Sequence, residues 1–517
     1  MASPETDPDR VPHRSLITVC TMIATLMQVL DSTIANVALP YMQGSLSTTS
    51  DQISWVLTSY IVAAAIMTAP VGWLSARFGR KNFFLACLVG FTLTSMLCGV
   101  AQSLNEMVLF RLMQGVCGAA IVPLSQAIML DIYPPAQRGQ AMVMWGMGVM
   151  VGPIIGPTLG GYLTDAYDWR WVFFINLPFG ILATAGFSIF LKEKRGAPAP
   201  PFDWTGFMAL SLGLGALQLM LDRGESKDWF QSSEILVETT LAALGFYLFI
   251  VHMWLAEKPF ISPKMFADVN YSTGVFLMFA VGIVLLASTV LLAPYLQTLG
   301  GHPVWEAGIL MAPRGAGTMV GMMVAGRLGG KADARAIMLA GLGFLAYSFW
   351  EQARWTPDVQ TWTLTWVTVI QGFALGLIFI PLQMIAYATL AAKYRPDATA
   401  LFSLVRNVGS AIGVSIASFM LSRSSQIVHS QIADTLTPFN RMAQTGGAYL
   451  FWNTATSGGR AALDGEVSRQ ALAIAYSNDF MLMFWISFPT AILILLMRSP
   501  GPPSDGAPPQ AAHAAMD

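Results

Sequence analysis

Charge is what this sequence has least of. Of 517 residues only 11% are Asp, Glu, Lys or Arg, against roughly 25% in an ordinary soluble domain, which excludes a chain whose surface lies mostly in water. The net charge of -1 leaves no basic field for nucleic acid and no whole-chain pull on an acidic partner. Cysteine is scarce: Cys20, Cys87, Cys98 and Cys117 all fall inside apolar stretches, as unpaired thiols do, and no disulfide is expected. Of five histidines only His252 lies in an apolar stretch, and a single imidazole there reads as packing. No G-x4-G-K-[ST] phosphate loop is present, since Gly329-Gly330-Lys331-Ala332 lacks both its spacing and its hydroxyl. Neither a cluster of His, Asp and Ser nor a sizeable soluble domain speaks for an enzyme or a receptor, and no cofactor or metal is expected.

Apolar length is what the chain has instead. It is 55% hydrophobic, with a mean hydropathy of +0.57. Fourteen windows of about 20 residues, each enough to cross a bilayer, run from the first near Ser15 to the last near Phe480, and Ala336 to Trp350 is the shortest. The expected class is an all-α integral membrane protein. With the N-terminus inside, seventeen Lys and Arg fall on the inner side, while the short outer loops hold four, Arg170, Arg223, Lys227 and Arg354. That asymmetry places both termini in the cytoplasm. The first ten residues, MASPETDPDR, carry acids where a cleavable signal has a basic region, so the first apolar run is expected to be retained.

The second half echoes the first at an offset near 256 residues. Asp31-Ser32-Thr33 with Pro40-Tyr41-Met42-Gln43 returns as Ala287-Ser288-Thr289 with Pro294-Tyr295-Leu296-Gln297. Gln114-Gly115 with Pro123-Leu124 returns as Gln371-Gly372 with Pro381-Leu382, and Gly152 and Gly156 return as Gly409 and Gly413. The offset spans eight helices, an even number, so the halves are parallel repeats. Two six-helix bundles, 1–195 and 261–517, with two inserted helices in 196–260, account for all fourteen. Asp31, Arg111, Pro153 and Pro157 have Ala287, Thr368, Ser410 and Val414 as counterparts, whereas the second bundle adds Arg314 and Arg406. The polar stretch 422–478 lies outside, long enough for a small helical cap or a docking surface, and the Pro/Gly/Ala tail from Pro500 has the composition of a disordered end.

Asp31 is the residue the chemistry turns on. A carboxylate within a membrane helix costs roughly 2.5 to 3.5 kcal/mol at mid-helix, so such groups mark ion pathways or counter-ions, unless the group simply reaches water at the helix end. At 1.5 Å per residue Asp31 lies about 12 Å from the outer end of its helix and Arg111 about 7 Å from its own, so the two can meet. A carboxyl group that alternates between a cation and an apolar surround takes up and releases a proton; a static buried ion pair is the other reading of the same two residues.

The fifth helix reads Gly148-x3-Gly152-Pro153-x2-Gly156-Pro157-x2-Gly160-Gly161. Glycines every four residues make a face another helix can approach closely, and each proline removes a backbone hydrogen bond, which together describe a packed hinge. The inner loop after the second helix carries Gly72, Arg77, Gly79 and Arg80 in G-W-L-S-A-R-F-G-R-K, though basic residues there follow from topology alone. Without nucleotide chemistry the work must come from an ion gradient, which supplies about 2.3 kcal/mol per charge per 100 mV.

At these residues the chain resembles the major facilitator superfamily, and specifically its fourteen-helix drug:proton antiporters of the EmrB type. Leu30-Asp31-Ser32-Thr33-Ile34-Ala35-Asn36-Val37-Ala38 is similar to that branch's first-helix signature, Arg111-x2-Gln114-Gly115 to the superfamily's fourth-helix motif, and Gly148 to Gly161 to the antiporter signature. The stretches Trp169 to Pro178 and Leu221 to Phe230 are similar too. One position departs: the loop pattern G-x-L-x-D-R-x-G-R-K has an acid where this chain has Ala76, so no gating salt bridge can start there.

The resemblance implies alternating access in a bacterial inner membrane, proton import coupled to export of amphipathic small molecules, and work with a periplasmic adaptor and an outer-membrane channel. The outer stretch 422–478 is the candidate for adaptor contact. Arg111, Arg314 and Arg406 favour neutral or anionic lipophiles over dications, because a desolvated guanidinium favours anions. Gln28, Asn36, Gln126, Asn176, Tyr295 and Gln383 are cavity candidates beside Arg314 and Arg406; each fits an interhelical hydrogen bond equally well. The alternative function is export of one endogenous lipophile, such as a fatty acid or a siderophore.

Overall fold

Helices are the form this composition takes in lipid, because a helix satisfies its own backbone polar groups where no water can. The computed structural model describes residues 13–134, 137–193, 201–257, 259, 261–328, 332–390, 394–436, 452–453 and 456–497. The linker residues 194–200, the tail from 498 and residues 437–451 of the outer stretch lie outside these, as do the side chains of Pro153 and Pro157.

The first bundle comprises α1 (Arg14–Ser45), α2 (Trp55–Thr68 with Val71–Phe78), α3 (Arg80–Val100), α4 (Leu104–Ile132), α5 (Arg138–Ala166) and α6 (Trp171–Phe190). The inserted pair is α7 (Trp204–Arg223) and α8 (Ser233–Leu255). The second bundle comprises α9 (Val269–Leu299), α10 (Val304–Leu328), α11 (Ala334–Gln352), α12 (Thr361–Ala388), α13 (Arg395–Thr435) and α14 (Ser457–Leu496). Ten of these are long and apolar enough to span a bilayer, and the two parts of α2, bent by 62° at Ala69-Pro70, form an eleventh. The glycine-bearing α5, α10 and α11, of 29, 25 and 19 residues, complete the fourteen.

Several starts are capped by side chains that accept the first free N–H groups: Ser103 for α4, Asp203 for α7, Asp268 for α9, Asp333 for α11 and Thr456 for α14. Asp203 also bonds His252 Nε2 at 2.8 Å, tying the start of α7 to the end of α8, so that histidine is a tether between the inserted helices. At its outer end α9 passes from Pro294 into a π turn, Tyr295–Leu299.

Close packing follows the repeat. In the first bundle α5 lies along α1, with Gly148 against Met22, Gly152 against Val29 and Leu30, Gly156 against Thr33 and Gly160 against Ile34. In the second, α13 lies along α9, with Gly409 and Gly413 against the backbone of Phe279 and Ile283. A β-carbon at Gly152 would stand 3.0 Å from the Leu30 nitrogen, and one at Gly156 2.3 Å from Thr33 Oγ1. Gly161, by contrast, has nothing within 4 Å, so it is no part of this contact.

The bundles meet on the side where α5 begins and α10 and α12 end. Gly139 of α5 faces Met384, Gly146 faces Met322, and Gly326 of α10 faces Val143. Trp145 stacks on Phe379 with centroids 6.3 Å apart, and Gln126 on α4 donates to Gln383 on α12.

The outer polar stretch is largely a continuation of helices. At 41 and 40 residues α13 and α14 are each about 60 Å long, twice the roughly 30 Å hydrocarbon core. Past the apolar parts of both helices His429 Nε2 and Asp464 Oδ1 lie 3.1 Å apart, joining them in a two-helix stalk.

Candidate functional site

Asp31 is fully buried within the first bundle. Its Oδ2 accepts from Arg111 Nη1 at 2.8 Å, and its Oδ1 accepts from Gln114 Nε2 and Asn176 Nδ2, both at 2.8 Å. These distances belong to charge-assisted hydrogen bonds. Arg111 and Gln114 lie three residues apart on one face of α4 and also bond each other, Nη1 to Oε1 at 2.7 Å. Asn176 starts the second part of α6, just after Ile175, and its amide reaches Asp31 on α1.

A surrounding layer fixes these donors. Arg111 Nε donates to the Val56 carbonyl at 3.2 Å, and its guanidinium carbon sits 4.3 Å from the Tyr60 ring centroid and 5.6 Å from that of Phe173. The Tyr60 hydroxyl accepts from Gln28 Nε2 at 2.9 Å. Asn176 Nδ2 also donates to Ser95 Oγ, which donates to the Phe173 carbonyl, both at 2.9 Å. An isolated carboxylate or guanidinium buried here would cost several kcal/mol; pairing and the hydrogen bonds around the pair offset much of that cost. Arg111 Nη2 and Asn176 Oδ1 have no protein partner, so a donor and an acceptor remain free beside the ion pair.

α5 touches the acid-bearing turn itself, since Thr33 Oγ1, two residues beyond Asp31, lies 3.4 Å from the Gly152 carbonyl.

The structure divides the remaining sequence candidates into separate groups. Asn176, read from the sequence as facing the cavity, belongs to the Asp31 site, and Gln28 to its outer layer through Tyr60. Gln126 and Gln383 bond each other across the bundles. Tyr295 sits among Trp355, Tyr476 and Phe480 and donates to the Thr356 carbonyl at 2.8 Å. Asn36 is exposed on the outer part of α1. Arg314 is buried and donates to Thr289 Oγ1 at 2.9 Å and Ser288 Oγ at 2.8 Å, whereas the Arg406 backbone packs on Gly282. Tyr60 and Ser95 are site residues that sequence reasoning missed; neither stands out in an apolar helix.

In the inner loop Gly79 takes φ +86°, a conformation that favours glycine, and Glu193 lies against it and accepts from the Asn82 N–H at 3.2 Å. Arg80 pairs with Asp131 at the end of α4, and Arg77 is exposed. With Ala76 in the acid's usual place, the carboxylate of Asp397 on α13 packs against Gly72, so an acid does meet this loop, from the other bundle.

Two parallel six-helix bundles closing on one side, with a buried acid–base pair in one of them, define a multi-pass membrane transporter. The chain belongs to the Major Facilitator Superfamily, whose family model matches residues 21–414. It is 35% identical over 436 residues to the multidrug export protein EmrB of Escherichia coli, covering 83% of this chain and 84% of that one. To the fatty acid resistance protein FarB of Neisseria gonorrhoeae it is 33% identical over 488 residues, covering 94% of this chain and 96% of the other. Among solved structures, a bacterial homologue of the human lysosomal transporter Spinster, inward-facing and unoccupied, shares the fold with a TM-score of 0.55 at 19% identity, over 95% of this chain and 99% of that one.

Proposed function

We propose that this protein is a proton-driven multidrug exporter of a bacterial inner membrane, with both termini in the cytoplasm, and a transporter rather than an enzyme. The observation that carries the proton-coupling part is the burial of Asp31 against Arg111, Gln114 and Asn176, on the helix along which the glycine face of α5 lies. In this arrangement the carboxyl group accepts hydrogen bonds from three donors. When the bundles rock, α1 moves relative to α4 and α6, the donors separate from Asp31, and the group is left in an apolar surround where the neutral acid is favoured. Proton loading on one side and discharge on the other then follow from the conformational cycle.

With the cytoplasmic halves sealed, this conformation is the one from which cargo leaves outward. The similarity to EmrB supports amphipathic cargo of many kinds, and that to FarB supports a second reading, export of fatty acids or a related endogenous lipophile. The stalk of α13 and α14 offers a periplasmic adaptor a surface standing clear of the membrane, through which an outer-membrane channel is reached.

Inside-out vesicles loaded by an imposed proton gradient test the reading, with ethidium as a lipophilic cation and oleate as a lipophilic acid. Collapse of the gradient and of the membrane voltage stops transport, and Asp31→Asn abolishes proton-coupled transport while the protein stays in the membrane. Transport that persists under either condition overturns the assignment; transport of oleate alone favours the second reading.

A further inference from the structure

The second bundle lost the acid of its first helix, where Ala287 stands for Asp31, yet it contains a buried acid elsewhere. Asp479 on α14 is 1% exposed, and its Oδ2 has no hydrogen-bond partner. It lies 17 residues from the inner end of its helix at Leu496, as Asp31 lies 17 residues from the inner end of its own at Arg14. At 1.5 Å per residue both stand about 26 Å above the cytoplasmic ends, at matching depth in the two halves.

The surroundings match helix by helix. In the first bundle the polar groups around Asp31 come from α3 (Ser95), α4 (Gln114) and α6 (Asn176). The corresponding helices of the second bundle supply Gln352 from α11, Gln371 from α12 and Asp479 from α14, all at most 1% exposed. Gln371 Nε2 donates to Gln352 Oε1 at 3.3 Å. Ser477 of α14 donates to the carbonyl of Ala353, next to Gln352, and the ring of Phe480 lies 6.2 Å from that of Trp355. Beside Asp479 Oδ2, three more buried atoms of this region are unpartnered: Gln352 Nε2, Gln371 Oε1 and Trp355 Nε1. Two spare donors and two spare acceptors on three packed helices and the turn that follows α11 are rare in a folded interior and mark a place where something binds or rearranges.

We propose that Asp479 is a second proton-binding carboxyl group of this transporter, on the helix of the second bundle that corresponds to the one carrying Asn176 in the first. The inference rests on the proton-coupled reading for its role in transport, but not for proton binding itself. Among the described residues no cation pairs with Asp479. The ionisable groups near it are Tyr476 on its own helix and Tyr295 on the π turn of α9, with Asp358 in the outer loop facing Tyr295. From α11, Glu351 and Arg354 pair with each other at 3.7 Å, and α13 offers it no ion pair. A carboxyl group so placed carries its proton in this conformation. It releases the proton when α14 shifts against α11 and brings the free N–H donors of Gln352 or Trp355 to it, the carboxylate keeping the electron pair and the proton passing to water.

Infrared difference spectra of the purified full-length protein, recorded across a pH titration, test this. The wild type should show two titrating carboxyl bands from membrane aspartates, Asp31→Asn removing one and Asp479→Asn the other. Asp479→Glu, which keeps the acid, retains two bands with one displaced in frequency, and aspartate carrying carbon-13 shifts the Asp479 band in the wild type without any substitution. Identical titrations for wild type and Asp479→Asn overturn the proposal, as does an Asp479 band that stays constant at every pH. If vesicle export survives collapse of the gradient while the Asp479 band still titrates, the coupling reading falls and proton binding at Asp479 stands.

Discussion

Removal of the charge from Asp31 while Arg111 stays is the most damaging small change this site admits. In Asp31→Asn the retained carbonyl oxygen still accepts from Gln114 and Asn176, but the introduced amide group points its hydrogens at Arg111 Nη1 over the 2.8 Å that now holds an ion pair. A guanidinium with no exposed surface is left unneutralised, which costs about 3–5 kcal/mol. Arg111→Met is milder, because the carboxyl group keeps two amide donors and can take up a proton; about 1–3 kcal/mol is expected for the lost bonds. The double variant carries no buried charge, so its loss should fall short of the sum of the two singles by about 2–3 kcal/mol. Heat or denaturant unfolding of the purified protein in detergent measures the stability cycle, and vesicle transport runs in parallel. The expected pattern is recovery of stability in the double variant with no recovery of proton-coupled export. Additive losses would refute the argument, since they would mean that Arg111 does not neutralise Asp31.

Gly156→Val places a branched side chain where even a β-carbon comes within 2.3 Å of Thr33 Oγ1; overpacking of about 1–3 kcal/mol should force α5 off α1 and cut turnover at least tenfold, while Gly161→Ala, in open space, should transport normally. Gln126→Leu leaves the Gln383 amide unpaired at the inner seal, at a cost of about 1–3 kcal/mol, and should raise the labelling rate of a cysteine placed at the cytoplasmic ends of the bundles. Gln126→Leu with Gln383→Leu should recover part of that seal, and an equal labelling rate in all three proteins would remove the pair from the gate. His429→Ala, which breaks a partly exposed bond between the stalk helices worth less than about 1 kcal/mol, should leave transport by the isolated protein unchanged.

How much of this was legible depended on how a residue contrasts with its neighbours. Asp31 and Arg111 stand out because a charge in an apolar run is conspicuous, and the repeat could be read because its Pro and Gly markers keep their spacing. Asn176 was visible but ambiguous: a neutral amide says nothing about which way its helix faces, and only the packing of α6 on α1 shows it reaching Asp31. Asp479 escaped notice at the edge of the last apolar window, where an acid looks like a boundary residue although the helix had begun 22 positions earlier, at Ser457. The outer stretch read as a loop or cap because hydropathy marks where lipid ends, whereas Ser, Gln and Arg continue a helix into water without interruption.

The amides that join the two bundles where they meet come from corresponding heights on α4 and α12, so each half contributes the same chemical group to one shared bond. Glutamine both donates and accepts, and either partner can fill either role after a simple flip of its terminal group. Reclosure therefore needs no prior agreement about which half gives the hydrogen. A fastener made of one identical piece from each side engages in two equivalent ways, and releases with no charge left stranded in the membrane.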